Sequence, residues 1–94
     1  MRLVWAERAA QDLETIESYI AHDNPTAAIT MIDKLIAQAE TLLEHPRKGC
    51  VVPEVANPDI RELIVSNYRL VYRIHAKTLE VLQIFEGHRQ LRDL

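Results

Sequence analysis

The apolar side chains of this chain change their repeat once, near residue 45, and a chain that passes from a helical to a strand period must gather helices and strands around one core. From Arg8 to His22, Ala9, Leu13, Ile16 and Ile20 recur at three- and four-residue spacing, while Glu7, Asp12, Glu14 and Glu17 fill the other positions. Asp23-Asn24-Pro25 ends this helix and starts the next, with Asn24 as its cap and Pro25 at its first position, where a missing N–H costs nothing. The second helix is predicted from Pro25 to about Glu44. Ala28, Ile32, Leu35, Ala39 and Leu42 form one stripe, and Ile29, Ile36 and Leu43 widen it, so both of its flanks are expected to be covered. A connection this short makes the pair an antiparallel hairpin, each helix too amphipathic to stand alone.

His45 to Cys50, with Pro46 and Gly49, breaks the helical pattern, and Pro53 and Pro58 keep the next stretch extended or turning. Ile60–Val65, Tyr68–His75 and Leu79–Phe85 are then rich in β-branched and aromatic residues at strand lengths. Their short connections, Ser66-Asn67 and Ala76-Lys77-Thr78, predict an antiparallel meander. Arg2 to Trp5 adds a short strand beside one of the three. The expected architecture is α+β in the order β-α-α-β-β-β, a helical hairpin packed on one face of a small antiparallel sheet, with residues 1–94 as a single domain.

Charge limits the partners. The chain carries a net charge of −3 and has a pI of about 5.7, so any nucleic-acid contact must be local. Residues 1–47 hold four basic and eight acidic side chains and residues 48–94 hold seven and six, which places the basic groups in the second half. The lone Cys50 forms no internal disulfide and fits a reducing compartment. Neither a signal peptide nor a membrane-length apolar run is present, so a cytoplasmic location is expected. No C-x-x-C or His-Cys cluster with metal-ligand spacing is present, and neither a metal nor a cofactor is expected.

Among candidate functional residues, Arg69 and Arg73 share a strand face about 13 Å apart, too far to clamp one phosphate together. They offer two separate anion contacts, or else pair with Glu62, Glu80 or Glu86 of neighbouring strands; Arg61 has the same two readings. Gly87-His88-Arg89-Gln90-Leu91-Arg92 follows the last strand and is the sharpest candidate, since a His beside an Arg suits proton transfer with anion stabilisation. A plain chain terminus is the competing reading. His22 and His45 sit at helix C-termini, where the dipole favours them. Cys50 has no neighbouring histidine in sequence to activate it.

Trp5-Ala6, Asp12-Leu13, Ile16, Tyr19-Ile20, Asn24-Pro25 and Ala27-Ala28 resemble the N-terminal half of the RelE/ParE toxin superfamily. Val52-Pro53-Glu54, Ile60–Val65, Asn67–Ile74 and Gly87-His88-Arg89 resemble its ParE-like, plasmid-stabilisation branch, in the same order over nearly the whole chain. The resemblance implies a bacterial type II toxin neutralised by a cognate antitoxin, and two competing activities. ParE-like members inhibit DNA gyrase without being nucleases, whereas RelE-like members cut messenger RNA on the ribosome. Where such nucleases carry a Lys and an Arg, this sequence has Glu62 and Ile64. Arg89 matches an Arg of both branches, and His88 stands where several nucleases have Lys or His; the sequence ends at Leu94, ahead of a late RelE-type Tyr.

The resemblance therefore favours a gyrase inhibitor with Arg89 and Arg92 as main target contacts and Arg61, Arg69 and Arg73 as weaker ones. An RNase would instead rely on His88, Arg89 and Arg69. A toxin fold that only binds its antitoxin is the third reading. Where branch members commonly have Arg after the loop glycine, Gly49 is followed by Cys50, and that loop receives no assigned role.

Overall fold

The computed structural model describes residues 1–87. Strand β1 (Arg2–Trp5) leads into α1 (Glu7–Asp23) and α2 (Pro25–Thr41), followed by β2 (Cys50–Val51), β3 (Ile60–Val65), β4 (Tyr68–Ile74) and β5 (Thr78–Glu86). The predicted order holds, with the two-residue β2 added inside the segment expected to be irregular. Asn24 caps α2 as anticipated, its Oδ1 accepting from Ala27 N at 3.1 Å with Pro25 in the first turn. Helix α2 ends three residues before the predicted Glu44, because 42–44 turn through shorter i→i−3 bonds.

The five strands form one sheet in the order β1-β5-β4-β3-β2. Strands β3, β4 and β5 make the expected antiparallel meander, and β2 adds antiparallel to β3. Strand β1 runs parallel to β5, so the sheet is mixed rather than wholly antiparallel. The parallel pairing follows from connectivity: β1 feeds directly into the helical layer, and the chain returns to its side only at β5.

Both helices lie on one face. Ala9 and Ile16 of α1 and Leu35 and Ala39 of α2 pack with Leu63, Val65, Leu70, Tyr72, Leu79, Val81 and Ile84 in a single core. Asp12 fastens α1 to the sheet, its Oδ2 accepting from Ile84 N at 2.9 Å beyond the reach of the short β1. That contact gives physical content to an acidic residue on an otherwise solvent-facing stripe. On the opposite face, a smaller cluster of Val52, Ile60 and Val71, with Val55, Leu82 and Phe85, is covered by the loop between β2 and β3.

Candidate functional site

Strand alternation divides the candidate arginines between two faces. On the face away from the helices, cross-strand register aligns Ile64, Arg69 and Phe85 in one row, Glu62, Val71 and Gln83 in the next, and Ile60, Arg73 and Glu80 beyond. A register shift between Val71 and Tyr72 places Leu82 as the extra residue of β5. The structure thus places Arg69 and Arg73 on the same sheet face, which is open apart from the part that the β2–β3 loop covers. Gly87 N donates to Asn67 O at 2.7 Å, so the chain leaves the sheet at the Arg69 end, beside the β3–β4 turn. His88, Arg89 and Arg92 lie outside the described residues.

The two arginines differ in what they already touch. Arg69 donates from Nη1 to Glu62 Oε2 at 3.4 Å, both side chains mostly covered, while its buried Nε has no hydrogen-bond partner among the described residues. Arg73 is exposed and has no ion pair among the described residues. Glu80 stands directly opposite Arg73, yet its carboxylate lies 3.0 Å from His75 Nε2. Beside Arg69, Ile64 is 58% exposed, so the face offers an apolar side chain next to a cation.

Arg61 faces the other way and is committed to the chain itself. Its Nε donates to Pro58 O at 3.0 Å, and its Nη1 to Gly49 O at 2.9 Å and Arg47 O at 3.3 Å. Alongside it, the Tyr72 hydroxyl donates to Pro46 O at 2.6 Å and accepts from Gly49 N at 3.0 Å. The loop 46–49, read in the sequence only as a helix breaker, is therefore held from below by a phenol and from the side by a guanidinium. Strand alternation puts Tyr72 on the core face with Tyr68 and Leu70, opposite Arg69 and Arg73. The signal for its second role is chemical, since a buried phenol needs partners and the nearest irregular backbone supplies them.

Burial pushes the Tyr72 phenol above its ordinary pKa of 10.0; the bond from Gly49 and the positive charges of Arg61 and Arg47 oppose this, and Cys50 adds to it. Tyr68 is raised as well, by burial first and then by Glu86 and Tyr19. A raised folded-state pKa means that the unfolded chain releases the proton first. The stabilisation is complete below about pH 10 and is lost as pH rises through the folded value. In urea titrations across that window, Tyr72→Phe is expected to flatten the alkaline loss of stability by up to about 1.4 kcal/mol per pH unit. An unchanged slope would contradict a locked, protonated phenol.

Among the described residues, no group of three His, Cys, Asp or Glu side chains is placed to hold a metal, and no helix is long and apolar enough to cross a membrane. Cys50 is exposed on β2, opposite Glu62.

Residues 3–91 match the family model described as the ParE toxin of the type II toxin–antitoxin system parDE. The chain is 30% identical over 91 residues to the Sinorhizobium fredii protein named "Putative toxin Y4kP", covering 95% of this chain and 91% of that one. It is 38% identical over 64 residues to toxin RelE2 of Caulobacter vibrioides, covering 68% of each. The fold superposes on a chain from the chromosomal ParDE toxin–antitoxin system of P. aeruginosa with a TM-score of 0.76 and 25% identity, covering 92% of this chain and 95% of the other. With the family model spanning the helical hairpin, the meander and the open face alike, the chain belongs to the ParE toxin family of type II toxin–antitoxin systems.

Proposed function

We propose that this toxin acts in the cytoplasm by binding DNA gyrase, with no chemistry of its own, and that its cognate antitoxin neutralises it. The observation that favours gyrase over messenger cleavage is the Glu62–Arg69 pair. A site that cuts RNA must gather positive charge around a developing phosphorane. Here a carboxylate lies 3.4 Å from Arg69 and Ile64 flanks it, at the two positions where RelE-type nucleases are expected to carry Lys and Arg. Glu62 cancels part of the local cation and repels a phosphate.

Arg89 and Arg92 remain the main proposed target contacts, with Arg73 and Arg69 on the open face as weaker ones and Arg61 the weakest because of its three backbone acceptors. For the antitoxin, the helical hairpin leaves Tyr19 73% and Ile29 59% exposed, apolar area that an amphipathic helix would cover. The test is supercoiling of relaxed plasmid by purified gyrase, titrated with the toxin alone and with antitoxin restored. Inhibition that the antitoxin reverses, and that His88→Ala scarcely changes, is the expected result. Absence of inhibition together with ribosome-dependent messenger cleavage abolished by His88→Ala would replace this reading with the RelE-type one.

A further inference from the structure

The basic groups considered so far belong to the sheet and the tail, yet a second set gathers at the end of the sheet away from Gly87. There an open cleft of about 790 Å³ is lined by Met1, His45, Pro46, Arg47, Lys48 and Ile74. Met1, Pro46 and Ile74 supply apolar surface, and Arg47, Lys48 and His45 supply the cationic or ionisable groups. The Arg47 side chain is 63% exposed, and the one carboxylate paired with it among the described residues, that of Asp59, is 3.7 Å away, beyond a good hydrogen bond. Among the described residues, Lys48 Nζ reaches only Thr41 Oγ1, at 3.4 Å. Glu44 is the other acidic side chain adjoining in sequence, and it is exposed.

The loop that carries these cations is fixed in one shape. Tyr72 holds Pro46 O and Gly49 N, and Arg61 holds Arg47 O and Gly49 O. A connection from a helix to a short edge strand requires no such anchoring. A loop ordered in advance does, however, lower the entropic cost of a later contact. Attraction to the C-terminus of α2 accounts for cations here, but not for the apolar surface between them.

We propose that this cleft is a docking site for an acidic polypeptide segment bearing one aliphatic or aromatic anchor. Carboxylates of the partner meet Arg47 and Lys48, while the anchor covers Met1, Pro46 and Ile74. Nucleic acid would satisfy the cations, but the one aromatic ring among the described lining residues is the small His45 imidazole, whereas Met1, Pro46 and Ile74 offer apolar surface that suits an aliphatic or aromatic side chain better than a phosphodiester. The site does not depend on the gyrase reading, because a partner bound there leaves the Arg69 end of the open face uncovered.

The probe is a labelled peptide of about ten Glu and Asp residues with one central Leu, titrated into the purified full chain while the methyl signals of Met1 and Ile74 are followed by NMR. Saturable shifts at both are expected. Affinity should fall about tenfold or more when Leu is replaced by Ser in the peptide, and likewise in the Arg47→Glu, Lys48→Glu double variant. Both substituted side chains are exposed, and an unchanged melting temperature shows that the variant is folded. Equal or tighter binding of a single-stranded oligonucleotide of the same charge would overturn the proposal in favour of nucleic acid. Shifts that appear on concentrating the protein alone would assign the cleft to a second copy. Indifference to the Leu, or no saturable shift with either probe, would leave the loop as a cap on α2 and sink the idea.

Discussion

Alanine at Gly49 is expected to destabilise the protein by about 3 kcal/mol or more, at the upper end for overpacking a close contact. Its φ is not positive, so backbone strain is not the reason. A Cβ would lie 2.6 Å from Glu62 O and 2.7 Å from the Tyr72 hydroxyl. The carbonyl belongs to β3 at its pairing with β2, and the phenol is fully buried between two partners, so neither can retreat cheaply. In a domain of this size the loss corresponds to more than about 10 °C in melting temperature. Tyr72→Phe serves as the control. It leaves Pro46 O and Gly49 N without their partner, costing about 1–3 kcal/mol. Adding it to Gly49→Ala should not rescue stability, because Glu62 O still blocks the new methyl. Urea denaturation of the three variants decides the matter. A Gly49→Ala protein within about 1 kcal/mol of wild type would show that the loop yields, against the locking argued here.

What the sequence disclosed and what it withheld separate along the range of the interactions. Helix α1, the Asn24–Pro25 junction and the meander are local: each is written in spacing over a few residues, and each forms where expected. Strand β2 was not legible, because two exposed residues carry no pattern and pair only when β3 arrives alongside. The parallel direction of β1 likewise depends on where the chain ends up, not on the composition of Arg2–Trp5. At the candidate site, alternation correctly put Arg69 and Arg73 on one face, and pairing with Glu62 was among the anticipated alternatives. The attachment of Arg61 to loop carbonyls twelve and fourteen residues earlier in the chain left no trace in spacing, since the acceptors are backbone groups that every sequence has.

On the gyrase reading, Arg73→Ala should raise the toxin concentration for half-maximal inhibition by about tenfold, and Arg69→Ala by considerably less. The ranking follows from what each guanidinium must give up. Arg73 is exposed and has no ion pair among the described residues, so a partner carboxylate or carbonyl gains nearly the whole charge-assisted bond. Arg69 must first part from Glu62 in a mostly covered setting, and the bond lost offsets much of the bond gained. Glu62→Gln separates these contributions. It removes the competing charge, should strengthen inhibition several-fold, and should make a subsequent Arg69→Ala more damaging than in the wild type, a coupling that a double-mutant cycle measures. Thermal melts of each variant guard against loss of fold, because Arg69→Ala leaves the Glu62 carboxylate without its cation. If Arg69→Ala proved the more harmful in the presence of Glu62, the pair would be positioning the guanidinium for the target rather than masking it, and the case against a phosphate-binding face would lose its main support.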